Sequence, residues 1–332
     1  MININKKIFT NLFLIIISVA LGVTVGIIYE RDILEKKLGI IHPIRENNPS
    51  YKFINPLLAY IIPSADADNQ LSLFRSKIEN FINTEKNNNK VSNASMFFYD
   101  LNRGHWIGVN EKDKYNPASM LKVVVMVAYF KEAELDPNIL NKSLVYTKEI
   151  DDSISKNSLN SQSNLVINKS YVIEDLINKM IIDSDNGAAK LLLNNINKVS
   201  LDSIYNALNI ENPENTDNFT ISPRKYSLFF RILYSSTYLT REYSEKALKI
   251  ISEAKFSGGI ANGLPQNLIV SHKFGVYINE QKELELHDCG IVYYPNNPYF
   301  LCIMTQGQDI SNLKNVIKNI SSLTYDNYIN YK

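Results

Sequence analysis

A serine and a lysine stand three positions apart in the stretch 117–122, as Ser119 and Lys122. In a helix this spacing places both side chains on one face. The residues after Lys122 are almost all apolar, which predicts a helix buried in the core. Burial lowers the pKa of a lysine, and a neutral amine can take the proton of a neighbouring serine hydroxyl. By itself the pair also fits a serine at a helix start followed by a lysine that reaches solvent.

A second polar cluster, Asp183-Ser184-Asp185-Asn186, follows a predicted helical run. The Ser184 hydroxyl can relay a proton, and the Asn186 amide can hydrogen-bond both a substrate amide and Lys122. Asp185 is expected to cap or brace the loop. The alternative interpretation is a simple helix N-terminus, where Ser, Asp and Asn are the preferred residues.

A third cluster, Lys273-Phe274-Gly275-Val276, lies on a predicted strand. The Lys273 cation can hold a substrate carboxylate, and Gly275 allows the backbone to approach closely. The Val276 N–H can donate to an oxyanion beside the N–H of Ser119. An ordinary edge strand with an exposed lysine is the alternative.

Composition and charge exclude several classes of protein. The 332 residues carry 35 Lys and Arg against 34 Asp and Glu, so no basic surface for nucleic acid is indicated. Two cysteines, Cys289 and Cys302, are too few for a disulfide framework or a cysteine metal site. Counting along their predicted hairpin places them diagonally on one face, as buried thiols unless export oxidises them. The four histidines are scattered singly. Neither a metal nor another cofactor is expected.

The elements that must position these clusters are strands at both ends of the body and helices between them. Sequence patterns predict strands over 96–101, 106–109, 268–278, 284–294 and 299–306. They predict helices over 71–84, from 119, and over about 171–196, 200–208, 223–235, 240–254 and 310–323. We expect an α+β fold with an antiparallel sheet built from both ends of the domain, flanking helices and an inserted all-helical subdomain. The active site would lie in the cleft between sheet and subdomain.

The N-terminal region predicts a membrane anchor. After Lys6 and Lys7, the apolar run 8–28 is long enough to cross a bilayer, with its basic flank on the cytoplasmic side. A signal peptide cleaved near Ala20 is the alternative. We therefore divide the chain into an anchor over 1–28, an extracytoplasmic linker over 29–69 and a globular domain over 70–332.

Together and in this order, the three clusters resemble the S-x-x-K, S-D-N and K-T-G motifs of class A β-lactamases and penicillin-binding proteins. The resemblance covers roughly residues 70–325 and is closest to the class A β-lactamase-like branch. The segment Ser257–Pro265 is similar to the family's approach to its third motif. The predicted order of elements agrees with the β-lactamase/transpeptidase-like fold.

The resemblance implies a covalent acyl-serine mechanism on β-lactams or on D-amino-acid peptides of the cell wall. The implied catalytic residues are the nucleophile Ser119, the base Lys122 and the proton relay Ser184. The implied substrate-binding residues are Asn186, Lys273, Gly275 and Val276, with the N–H groups of Ser119 and Val276 as the oxyanion hole.

The sequence departs from the family pattern at two places. Phe274 stands where the family has Thr or Ser, which removes a hydroxyl that helps to bind the β-lactam carboxylate. Class A β-lactamases deacylate with a Glu in an E-x-x-x-N pattern on an omega loop. Here Glu211 and Asn215 have that spacing, and Glu214 is a second candidate base, in a segment that is either a shortened omega loop or a plain polar loop. Without a poised base the acyl-enzyme would be long-lived.

The sequence thus predicts a membrane-anchored, extracytoplasmic serine hydrolase that forms an acyl-enzyme at Ser119. Its partners would be the membrane, through the N-terminal helix, and a β-lactam or peptidoglycan-peptide substrate. Three alternatives stay open: turnover of β-lactams, slow deacylation as in a penicillin-binding D,D-peptidase, and a non-catalytic relative that binds wall fragments.

Overall fold

The computed structural model of the chain describes residues 51–55, 67–152, 163–216 and 218–330. The predicted anchor over 1–28 and most of the predicted linker over 29–69 lie outside these residues. Across the described ranges, no helix has the length and apolar character needed to span a bilayer.

A five-stranded antiparallel sheet carries the fold. Its strand order is β2-β1-β7-β6-β5, so that β1 from the start of the domain pairs with β7 from its end. The strands are β1 (Asn93–Asp100), β2 (Trp106–Val109), β5 (Val270–Ile278), β6 (Leu284–Val292) and β7 (Tyr299–Gly307). A separate two-stranded sheet pairs β3 (Ser143–Val145) with β4 (Ser170–Val172). The predicted antiparallel sheet built from both ends is confirmed.

Helices cover both faces of this sheet. Those of the described residues are α1 (Ala67–Asn87), α2 (Lys122–Ala133), α3 (Lys148–Asp152), α4 (Ile173–Ile182), α5 (Asn186–Asn195), α6 (Lys198–Ala207), α7 (Pro223–Tyr234), α8 (Arg241–Ser252) and α9 (Ile310–Ile329). Short 3-10 turns cover Ala118–Leu121, Pro137–Asn141, Pro213–Asn215 and Ile260–Gly263.

Two hydrophobic cores lie on opposite faces of the sheet. The terminal helices α1 and α9 pack on one face, around Ile78, Phe98 and Ile317. The inserted helices pack on the other face, where α2 supplies an almost wholly buried run from Val123 to Phe130. Because both faces are covered, β1 and β7 are buried along nearly their whole length rather than alternating between buried and exposed positions. The predicted helical insertion between the strands is confirmed.

Two local expectations need correction. The predicted helical stretch over 171–196 begins two residues later than expected, because residues 170–172 form β4, whereas its break at 183–185 lies where the polar cluster 183–186 predicts the start of a second helix. Cys289 and Cys302 are directly opposite rather than diagonal and form a disulfide. Pairing of β6 with β7 closes at Val292 and Tyr299, and this register places the two cysteines face to face.

Residues 51–55 of the predicted linker contact the globular domain. The N–H groups of Lys52, Phe53 and Ile54 all donate to the carboxylate of Glu245 on α8, at 2.5, 2.7 and 2.9 Å. Phe53 and Ile54 are buried there. This end of the linker is thus part of the folded unit, rather than a spacer beside it.

Candidate active site

Ser119 lies in the 3-10 turn that leads into α2. Lys122, three positions later, is the first residue of the α-helix. Ala118, just before the serine, has a φ of +46°, a left-handed conformation that costs about 1–3 kcal/mol for a non-glycine residue. The Tyr226 hydroxyl donates to the Met120 carbonyl at 2.9 Å and so ties the turn to α7. Ser119 itself is partly exposed.

The amine of Lys122 is buried against oxygens of the second cluster. Its Nζ donates to the Ser184 carbonyl at 2.6 Å, to Asn186 Oδ1 at 2.6 Å and to Ser184 Oγ at 3.3 Å. Burial lowers the pKa of Lys122 to about 7, and the charge of Asp185 opposes that shift. At neutral pH a large fraction of the amine is therefore unprotonated and able to accept a proton.

Ser184 connects the two lysines of the site. Its Oγ accepts from Lys273 Nζ at 2.9 Å as well as from Lys122. The residue is buried and has a φ of +56°. Burial and the neighbouring Lys122 charge hold the pKa of Lys273 well below its usual value, while Asp288 acts in the opposite direction. Because the amines of Lys122 and Lys273 both contact the Ser184 hydroxyl, a proton can move between them through Ser184.

Asp185 braces the loop, as the sequence predicts. Its carboxylate caps α5 by accepting from the Ala188 N–H at 2.8 Å. The same carboxylate accepts from Ser163 Oγ at 2.9 Å and from the Asn164 N–H at 2.7 Å. These bonds fix the backbone on either side of Ser184 and Asn186, the two residues that contact Lys122.

Strand β5 lies directly against the nucleophile turn. A Cβ added to Gly275 would clash with the Pro117 carbonyl oxygen and approach Met120 Cγ to 3.0 Å. Only glycine lets strand and turn come this close. Val276 follows on the same edge strand, beside the turn that carries Ser119. The structure therefore brings the third predicted cluster to the first.

Phe274 and Phe256 form an aromatic pair at the side of the site. Their rings are stacked, with centroids 4.0 Å apart and planes 10° apart. The ring of Phe274 also lies over Lys273, whose Nζ is 4.2 Å from the ring centroid. Phe256 was not among the predicted site residues, because nothing in its local sequence indicates that it packs on β5.

Among the described residues, neither candidate deacylation base makes a hydrogen bond or ion pair with this cluster. Glu214 pairs with Lys198 at 3.1 Å, and the Glu211 side chain is exposed. Among the described residues, Asp185 is the carboxylate whose charge acts on Lys122.

The histidine beside Lys273 has a structural environment. His272 Nδ1 is bonded to the buried Asp288 carboxylate at 2.8 Å, and Asp288 Oδ2 also accepts from the Ile260 N–H at 2.7 Å. This pair ties β5 to β6 and to the 260–263 turn. In the part of the chain that the structure describes, no group of three or more His, Cys, Asp or Glu side chains is placed to hold a metal ion.

Comparisons with known proteins agree with this architecture. The model of the beta-lactamase enzyme family (Beta-lactamase2) matches residues 73–328. Among solved structures, PBP-A has a TM-score of 0.66 at 19% identity, over 78% of this chain and 97% of that one. A class A beta-lactamase from Mycobacterium abscessus has a TM-score of 0.64 at 15% identity, over 76% and 99%. The TLA-1 extended-spectrum beta-lactamase has a TM-score of 0.65 at 16% identity, over 77% and 99%.

The structural comparisons show the fold, and the family match shows the family. At such identities the structural likeness shows the fold, and a search among curated proteins gave no significant match. The family match spans most of the chain, and it includes all three motif clusters that meet in the site. On this ground, the chain belongs to the beta-lactamase enzyme family.

Proposed function

We propose that this chain is a serine hydrolase that forms an acyl-enzyme at Ser119. The observation that carries the proposal is the position of Lys122, one helical turn from Ser119 and buried against Ser184 and Asn186. A lysine that loses its proton near neutral pH beside a partly exposed serine is an activated nucleophile pair.

In the proposed reaction, neutral Lys122 takes the proton of the Ser119 hydroxyl as Oγ attacks the substrate carbonyl. The carbonyl oxygen becomes an oxyanion, which the N–H groups of Ser119 and Val276 stabilise; one such donor is worth about 3 kcal/mol. The tetrahedral species then expels its amine, which takes a proton from Ser184. Ser184 recovers a proton from the adjacent lysines, and the acyl group stays on Ser119.

The contacts of the second cluster support these roles. Ser184 Oγ lies within hydrogen-bonding reach of both amines, so it can donate a proton on one side and receive one on the other. Asn186 already uses Oδ1 on Lys122, and its amide nitrogen would orient the substrate. A cleft that only bound a wall fragment would not require two buried lysines around a serine hydroxyl. This disfavours the non-catalytic alternative.

We propose that deacylation is slow. A class A type of turnover needs a carboxylate that activates water next to the acyl-serine. Glu214 is held by Lys198, and Glu211 is exposed to solvent. The acyl-enzyme would therefore accumulate, as in a penicillin-binding protein. A variant of PBP-A, one of the structural neighbours, is recorded as an acyl-enzyme complex with penicillin G.

The proposed substrates are β-lactams or peptidoglycan-peptide amides, met outside the cytoplasm. The apolar run over 8–28 would anchor the chain in the cell membrane as a single span.

Adduct lifetime tests this function. The full chain is incubated with penicillin G while the drug concentration is followed, and after removal of the excess drug the intact mass is followed over time. We expect one stoichiometric adduct that persists for many minutes, and the same lifetime in Glu211→Gln and Glu214→Gln. Rapid adduct loss with drug consumption, slowed in either variant, would show a β-lactamase instead. Absence of any adduct and of any drug loss would refute β-lactam chemistry.

A further inference from the structure

The wall of the site beside Ser184 is aromatic rather than cationic. Phe274 is 8% exposed, and its ring stacks on the partly buried Phe256. The two rings come from separate parts of the chain, β5 and the segment after α8. Their stacking fixes the position of the Phe274 ring.

The Phe274 ring covers the lysine beneath it. Lys273 has no exposed surface, and its Nζ lies 4.2 Å from the ring centroid. The amine donates to Ser184 Oγ at 2.9 Å and to the Phe274 carbonyl at 3.2 Å. A substrate group that reaches this side of Ser184 therefore meets the ring and not the ammonium.

One exposed lysine next to this wall is already paired. Lys255 precedes Phe256 in the chain, and its Nζ donates to Asp183 Oδ1 at 3.0 Å. An incoming carboxylate at the wall would thus meet a neutralised ion pair and the apolar rim of the aromatic pair, because Phe256 and Lys273 cover the two faces of the Phe274 ring. It would lose hydration without gaining a salt bridge, whereas an uncharged group would gain by burial against the ring.

We propose that the Phe256–Phe274 pair sets the substrate class: amides or esters whose leaving group carries no carboxylate next to the scissile bond. Among peptides, this describes an internal or capped peptide bond rather than a bond to a C-terminal residue. The inference rests on the proposed function, because it is Ser184 that delivers the proton to the leaving group and so locates that group beside the wall.

Penicillin G and its methyl ester form a matched pair of probes, since they differ in the carboxylate and share the acyl group and the strained amide. The rate of Ser119 acylation is measured for both by intact mass with the full chain. We expect the methyl ester to react at least about tenfold faster. In Phe274→Thr, which uncovers Lys273 and adds a hydroxyl, we expect the penicillin G rate to rise about tenfold or more and the preference to disappear. Phe81→Thr, which removes a partly buried ring on α1, is the control and should keep the wild-type ratio.

The outcomes separate the inference from the function. If penicillin G acylates wild-type Ser119 as fast as its methyl ester or faster, the inference is wrong, even if Phe274→Thr fails to fold. An unchanged ratio in folded Phe274→Thr also overturns it. If neither compound acylates Ser119, the proposed function itself fails, and the inference fails with it.

Discussion

The Nζ of Lys122 contacts two oxygens of Ser184, the carbonyl at 2.6 Å and the hydroxyl at 3.3 Å. One residue can offer both atoms to the same amine because its backbone is left-handed, with a φ of +56°. This backbone conformation costs about 1–3 kcal/mol, which the hydrogen bonds of the next residue, Asp185, offset. The position of the base therefore depends on the backbone of the second cluster as much as on its side chains.

The pH dependence of acylation should report Lys122. Its pKa is lowered to about 7 by burial, so the amine is protonated below that pH and cannot accept the Ser119 proton. We expect the acylation rate to fall about tenfold per pH unit below pH 7 and to level off above it. Stopped-flow or quenched acylation over pH 5–9 measures this.

The same lowered pKa affects stability. Above pH 7 the folded chain has released a proton that the unfolded lysine keeps until about pH 10.4. The free energy of unfolding should therefore increase with pH in this window. In Lys122→Met the Lys122 contribution to that increase should vanish. Two results would contradict the buried-base account: an acylation rate that falls below about pH 10 rather than below pH 7, or a stability profile that is unchanged in Lys122→Met.

Asp185→Ala should destabilise the protein by about 2–3 kcal/mol. The buried carboxylate accepts from Ser163, Asn164 and Ala188, and its loss leaves these donors without their partner. Urea denaturation measures the change. The matched control is Asp309→Ala, which removes an N-cap that accepts from the Asn312 N–H and should cost about 1 kcal/mol. Equal losses in the two variants would argue against the bracing role of Asp185.

Gly275→Ala should lower the acylation rate about a hundredfold or more, with the fold retained. The new Cβ would displace the turn that carries Ser119, since it clashes with the Pro117 carbonyl and crowds Met120. Gly307→Ala is the control, because its Cβ would meet the end of the flexible Leu313 side chain at 3.1 Å and the backbone of Val91 and Lys90 at ordinary contact distances of 3.4 and 3.5 Å. Full acylation activity in Gly275→Ala would show that the close approach of β5 is not required.

The disulfide should stabilise the domain by about 3 kcal/mol. Cys289 and Cys302 are 13 positions apart, and loop-closure entropy for a loop of this size has that magnitude. Reductant should shift the urea midpoint of the wild type and leave that of the double Cys→Ala variant where it is. A wild-type midpoint that does not respond to reductant would show that the bond contributes nothing.

The large elements and the motif clusters could be predicted from local sequence, because hydrophobic period and turn residues determine them. Strand bounds such as Trp106–Val109 agree with the structure, and Lys122 and Ser184 do come together. What could not be predicted depends on register and on distant packing.

The role of Phe256 depends on distant packing, because its stacking on Phe274 joins residues that no local pattern relates. The Cys289–Cys302 pairing depends on strand register, because a shift of the hairpin register changes which residues lie opposite each other. The placement of Glu214 is a third example: its pairing with Lys198 on α6 is a tertiary contact that the E-x-x-x-N spacing does not reveal. The assigned catalytic roles remain predictions until they are measured.

The most direct test of the account is to locate the acyl group. The full chain is incubated with penicillin G and its methyl ester, digested, and the modified peptide is identified by tandem mass spectrometry. We predict a single acyl group on Ser119, absent in Ser119→Ala and retained in Ser227→Ala, a buried serine on α7 outside the site. An adduct on any other residue, or one that survives in Ser119→Ala, would contradict the acyl-serine mechanism.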